Sequence, residues 1–161
     1  MLTKYLIVFF VSMVPLIELR GAIPIAAGMG LTDTLPHMIT AFIVAIVGNM
    51  LPVPIIFLFA RKFLEWGQDK KYLAKICQFF LTKGHNAGEK LTSKASKTGI
   101  FIALMLFVGI PLPGTGAWTG TLAASLLDLD MKTSTFSVLF GVLIAGVIMG
   151  LAGTGIFSFF R

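Results

Sequence analysis

The sequence predicts an all-α integral membrane protein: an inverted repeat of a re-entrant helical hairpin plus a transmembrane helix, with a cytoplasmic amphipathic helical segment between the two copies. Three observations predict it. Of the 161 residues 57% are hydrophobic and only 12% charged, and the mean hydropathy is +0.93, outside the range of soluble domains. The stretch 13–30, MVPLIELRGAIPIAAGMG, sets Glu18 and Arg20 within membrane-grade sequence. A similar order of features then returns about 96 residues later. One membrane domain, 1–161, is expected, divided into 1–60, 61–99 and 100–161.

Residues 5–14 form an apolar run of ten residues, about 15 Å as a helix and half of a roughly 30 Å hydrocarbon core. It is too short to span. The N-terminal MLTKYLIVFFVSMV has a signal peptide's charge-then-apolar form, but no small-x-small site follows, so it reads as retained. Pro15 and Pro24 each remove a helical hydrogen bond, so Glu18, Arg20 and Gly21 are expected between two backbone breaks. An Arg in mid-helix costs roughly 2.5–3.5 kcal/mol on insertion scales. Irregular backbone survives at that depth only where protein or water covers it. A hairpin with its charged turn facing a cavity satisfies both conditions.

Residues 25–31 (IAAGMGL) supply the small returning arm. TDTLP, 32–36, reads as an exit to water and a helix start, with Thr34 or Asp33 as cap and Pro36 in the first turn. Residues 37–60 make the first spanning helix, kinked by Pro52 and Pro54 beside Asn49.

All of the net +6 lies in 61–97, where nine Lys or Arg face Glu65, Asp69 and Glu89. A basic loop of this length is expected to be cytoplasmic by the positive-inside rule. Within it Leu73, Ile76, Cys77, Phe80 and Leu81 recur at helical spacing opposite Lys70, Lys71, Lys75 and Lys83. That pattern suits an amphipathic helix on an anionic membrane surface. Lys90, Lys94 and Lys97 make a second basic stripe. The charge serves lipid better than nucleic acid, which is not expected as a partner.

Residues 100–110 are again too short to span and meet a second prolyl turn, GIPLPGTGAWTG, with Pro111, Pro113, Gly114 and Gly116. TLAASLL returns at 121–127, DLDMKTST marks an aqueous turn, and 136–160 is the second spanning helix. Pro15-Leu16 matches Pro111-Leu112, AAG matches AAS, and Asp33 matches Asp128 and Asp130. If each hairpin enters and leaves on one side, each half crosses once and the halves are inverted. That is the arrangement that sets binding sites at the midplane of secondary transporters.

Candidate substrate-binding residues are Glu18, Arg20, Asn49, Thr115, Trp118 and Thr119. Arg20 suits an anionic head group and a buried Glu18 suits proton uptake and release. A Glu–Arg pair that only holds the hairpin shut is the structural alternative. Thr115, Thr119 and the amides of Gly114 and Gly116 resemble a phosphate nest. Trp118 either covers a ligand or anchors at the interface, and Asn49 either meets substrate or satisfies freed carbonyls. Gly146 and Gly150 read as a dimer contact or as the surface under a hairpin. His37 and His85 receive no role. Cys77 is the only cysteine, so neither a disulfide framework nor a CxxC metal pair is encoded. No cofactor or metal is expected, and no catalytic constellation supports an enzyme.

ELRGAIP at 18–24 and PLPGTGAWTG at 111–120 resemble the small multi-drug export protein family, a branch of the DedA-like superfamily. The resemblance covers nearly the whole chain. It implies two facing re-entrant hairpins, a bacterial plasma-membrane location and a homo-oligomer, with a dimer favoured. By analogy it suggests flipping of lipid carriers such as undecaprenyl phosphate, whereas the family's name suggests drug efflux. The superfamily tends to carry arginine near its second hairpin, and this chain has none in 99–127. Anion handling would therefore fall on Arg20. Three readings follow: a transporter or flippase of an anionic lipid-linked substrate, a proton-coupled exporter of cationic amphiphiles, and a non-transporting membrane scaffold.

Overall fold

Two apolar arms stop where a proline forces them to. The computed structural model describes the backbone of residues 1–70, 74–112 and 114–159, and their side chains except at 76, 80, 83, 84, 87, 88, 90–92 and 153–159. Helix α1, Leu2–Met13, ends at Val14, whose φ of −71° and ψ of 129° are extended. Helix α6, Lys97–Gly109, ends the same way at Ile110, with φ −81° and ψ 119°. Both residues precede a proline, whose ring disfavours the helical region for its neighbour.

Four residues beyond α1 the chain returns as α2, Glu18–Gly28. Lys4 Nζ donates to the carbonyl of Met29 at 2.5 Å, so the start of α1 lies beside the end of α2 and the two are antiparallel. Beyond the turn after α6 comes α7, Ala117–Leu126, which packs mainly on the helix Pro52–Gln68.

The expected break at Pro24 is absent. Pro24 lies inside α2, because losing one interior hydrogen bond does not end a helix whose face is otherwise buried through Leu19, Ala22, Ile23 and Ala26. Gly21 is likewise helical. Only the break at Pro15 precedes the charges.

Helix α3, Leu35–Met50, and α4, Pro52–Gln68, join through Leu51, which keeps a helical φ of −61° and ψ of −40°. Pro52 and Pro54 thus separate two helices that follow on directly, and together they form a candidate span over Leu35–Gln68. The helical run passes the expected end at residue 60 and takes in Arg61, Lys62 and Glu65. Thr34 takes the N-cap position without a side-chain hydrogen bond.

Helix α5, Ala74–Lys94, packs on α4 and α7. Cys77 is buried, as the amphipathic pattern requires. Leu73 lies outside the described residues, as do the side chains of Ile76 and Phe80. Lys94 ends α5 while Lys97 opens α6, so the two do not share one helical stripe.

Helix α8, Met131–Phe159, begins five residues before the expected 136. Asp130 explains the early start, since its Oδ2 accepts from the Thr133 amide at 2.8 Å as an N-cap does. Residues Met131–Ala152 form the second candidate span. The described residues are helical with no strand.

Close packing is set by glycines. A Cβ on Gly48 would meet Ser12 Oγ and the Phe9 carbonyl, and one on Gly141 would meet Val108 and the Met105 carbonyl. These contacts bring α1 onto α3 and α6 onto α8. Gly146 faces Leu19 and Phe42, and Gly150 faces the Phe42 ring. The GxxxG surface is therefore covered within the chain by α2 and α3.

Candidate functional site

The turn after α1 is conformationally strained. Leu16 has φ 71° and Glu18 φ 50°, a left-handed region that non-glycine residues enter at a cost of roughly 1–2 kcal/mol each. Strain of this kind persists where surrounding structure fixes it. Here the fixing contacts come from the second hairpin.

The Glu18 carboxylate, 5% exposed, reaches the first turn of α7. Its Oε2 accepts from the Ala117 amide at 3.1 Å and its Oε1 from the Trp118 amide at 3.0 Å. Amides at a helix start lack intrahelical acceptors and carry the positive end of the dipole. Gly116 makes the approach possible. Its φ is 149°, and a Cβ there would overlap the Glu18 carboxylate.

Arg20 reaches the opposite pole of the same break. Its Nη1 donates to the Leu112 carbonyl at 2.6 Å. Its Nη2 faces the Val108 carbonyl at 3.1 Å, the Ile110 carbonyl at 3.2 Å and Thr115 Oγ1 at 2.9 Å. The carbonyls that end α6 and form the turn beyond it thus receive a cation, as a helix C-terminus favours. Among the described residues no ion pair within 4 Å joins Arg20 to Glu18. One carboxylate and one guanidinium instead bracket the gap between α6 and α7.

The bracing is mutual. Trp118 Nε1 donates to the carbonyl of Met13, the last residue of α1, at 3.1 Å. The first hairpin caps the second, and the second caps the first.

Beside these contacts lies a cavity of about 520 Å³ lined by Glu18, Arg20, Thr115, Trp118 and Thr119, with apolar walls that include Leu16, Ile56, Leu122 and Met149. This volume is in the range of pockets for small molecules.

A family model described as "Putative small multi-drug export protein" matches residues 18–148. The chain belongs to that family. No curated protein and no solved structure matches it. Family membership and the two long apolar helices together mark a membrane protein.

Of the residues predicted for the site, the fold gathers Glu18, Arg20, Thr115, Trp118 and Thr119 around the cavity, with Pro15, Pro111 and Gly114 on its wall. Pro113 lies outside the described residues. Asn49 does not line the cavity. It is 2% exposed on α3, and its Oδ1 has no hydrogen-bond partner. Around the second turn the α7 amides of Ala117 and Trp118 hold Glu18, the Thr115 amide donates to the Leu112 carbonyl and the Thr119 hydroxyl to the Gly116 carbonyl.

The apolar wall residues escaped sequence reading, since Ile56, Leu122 and Met149 are indistinguishable there from lipid-facing positions. A second polar cluster also went unpredicted. Arg61 on α4 pairs with Glu65, at 2.8 Å, and with Asp128 of the α7–α8 turn. His85 Nδ1 on α5 lies 3.5 Å from the same Asp128. The only signal was an Arg and an Asp at opposite segment ends.

Proposed function

We propose that this membrane protein is a transporter that exports an amphipathic anion, of which a polyprenyl phosphate such as undecaprenyl phosphate is the type. The charged group would rest at Arg20 and the apolar part against Leu16, Ile56, Leu122 and Met149. One observation carries the reading. Arg20 lines the cavity with neutral acceptors only, three carbonyls and a hydroxyl, while Glu18 is buried with both oxygens engaged. Both charges line the cavity, and the half-buried guanidinium is the more open of the two to a ligand. Any proton coupling in this proposal would act at Glu18, whose two oxygens hold the first amides of α7.

An inverted repeat supports alternating access in this proposal. Val14 and Ile110 end equivalent arms, Ser12 on Gly48 parallels Val108 on Gly141, and each hairpin donates to the other's first arm. The proposal places the protein in a bacterial plasma membrane with 61–97 cytoplasmic, where the basic charge meets anionic lipid. It includes a homodimer whose contact is not the GxxxG surface, since Phe42 and Leu19 occupy it.

The family description favours a second reading, export of cationic drugs, in which the apolar walls hold the drug and Glu18 supplies the counter-charge.

Reconstitution in liposomes separates the two. Transport of a polyprenyl phosphate, lost in Arg20→Ala and impaired in Glu18→Gln, is the expected result. Transport of a cationic dye that survives Arg20→Ala, with no response to the phosphate, would replace the first reading with the second.

A further inference from the structure

We infer that an anion bound at Arg20 and the closed second hairpin compete for the same protons, so that loading the site uncaps α6 and loosens the backbone bonds at Ile110, Leu112 and Thr115. This rests on the proposal that Arg20 receives the anion, and it adds how binding moves the protein. A guanidinium grips a phosphate with two hydrogen bonds along either of two edges, Nη1–Nη2 or Nε–Nη2. Both include Nη2, because Nη1 lies on the Cδ side.

Nη2 has two protons and already faces three acceptors, the carbonyls of Val108 and Ile110 and the Thr115 hydroxyl. It has none to spare. A two-pronged phosphate contact must displace at least one of them.

Displacement has a structural consequence because these acceptors define the break. Val108 lies in the last turn of α6, Ile110 is its C-cap, and Thr115 Oγ1 lies 2.9 Å from the carbonyls of both Ile110 and Leu112. The turn also holds itself by the Leu112 amide to the Ile110 carbonyl, 2.8 Å, and the Thr115 amide to the Leu112 carbonyl, 3.2 Å. Displacing Nη2 from Val108 or Ile110 removes a cationic donor from the end of α6, and the carbonyl released then turns to water. The cavity beside them admits it. Arg20 is thus a donor shared between backbone and cargo, and occupancy by one opens what the other closes.

The test uses the full chain in detergent micelles, with dodecyl phosphate as probe, hydrogen exchange of the Ile110, Leu112 and Thr115 amides as one readout and probe affinity as the other. Dodecyl phosphate is expected to speed exchange at those amides in the wild type. Unchanged or slower exchange with the probe bound overturns the inference. Thr115→Val removes one competitor for Nη2 and should tighten dodecyl phosphate about fivefold, with Thr115→Ser close to wild type. Unchanged or weaker binding by Thr115→Val also overturns it, since the hydroxyl would then not compete with the anion. Inorganic phosphate at the same concentration should leave exchange unchanged, and an equal response to it would overturn the assignment to a lipid-like anion. Full binding of dodecyl phosphate by Arg20→Ala would instead remove the proposed function itself.

Discussion

The Glu18 carboxylate stands 3.0 Å from the backbone nitrogen of Trp118, 100 residues further along the chain. A side chain of one hairpin thereby completes a helix of the other. Glu18→Gln keeps the shape but removes the charge, and one of its two polar atoms becomes a donor facing an amide. A loss of about 2 kcal/mol in stability is expected, from a charge-assisted bond and the helix dipole together. Thermal unfolding in detergent reads it, and an unchanged midpoint would show that the carboxylate does not brace α7.

Gly116→Ala attacks the same contact from the other side. The new methyl meets the Glu18 carboxylate, and its φ of 149° is one that L residues rarely adopt. The variant should unfold at a lower temperature than wild type. In a Glu18→Ala background the steric part of that loss disappears, so the two substitutions should be less than additive in a double-mutant cycle. Full additivity would contradict the contact.

Glycine-mediated helix contacts give a graded series. Gly141→Ala places a Cβ against Val108 and the Met105 carbonyl, and Gly48→Ala places one against Ser12 and the Phe9 carbonyl. Each should destabilise by about 1–3 kcal/mol through overpacking. Gly28→Ala meets nothing within 4 Å and should be neutral, or stabilising by about 0.4–1 kcal/mol. Equal losses at all three positions would argue against the close α1–α3 and α6–α8 approaches.

At the start of α8, the Thr133 backbone amide and then its hydroxyl hold the Asp130 carboxyl below the usual carboxylate range. A depressed value in the folded chain gives stability that is complete above the unfolded value, about pH 3.9. It is lost as the pH falls through the lower folded value. Acid unfolding between about pH 4 and 2 should therefore be less steep in Asp130→Asn, compared with wild type by circular dichroism in an acid-stable detergent. Identical acid limbs would remove the cap from the balance.

Sequence and fold agree where a local rule decides the outcome. Pro15 and Pro111 each stop an arm because the preceding residue must be extended, and short-range sterics suffice to say so. That Glu18 would be buried and Arg20 held by protein was also legible, since neither belongs in lipid. Their partners were not. The amides of Ala117 and Trp118 and the carbonyls of Val108, Ile110 and Leu112 belong to every residue type alike, so no side-chain pattern marks them. Pro24 misled for a related reason: its local penalty is outweighed by the burial of the α2 face around Leu19 and Ile23. The helix end at residue 60 was drawn at the first charge, whereas Arg61 is satisfied by Glu65 one turn on and by Asp128 across the fold.

The Trp118 indole on Met13, together with Glu18 and Arg20 on the second break, means that each half of the polypeptide supplies groups that help finish the other's turn. A gene split between α4 and α5 should yield two pieces that are degraded when made alone and assemble when made together, as co-purification from one strain would reveal. Each half, on this view, is a chaperone that never leaves the other.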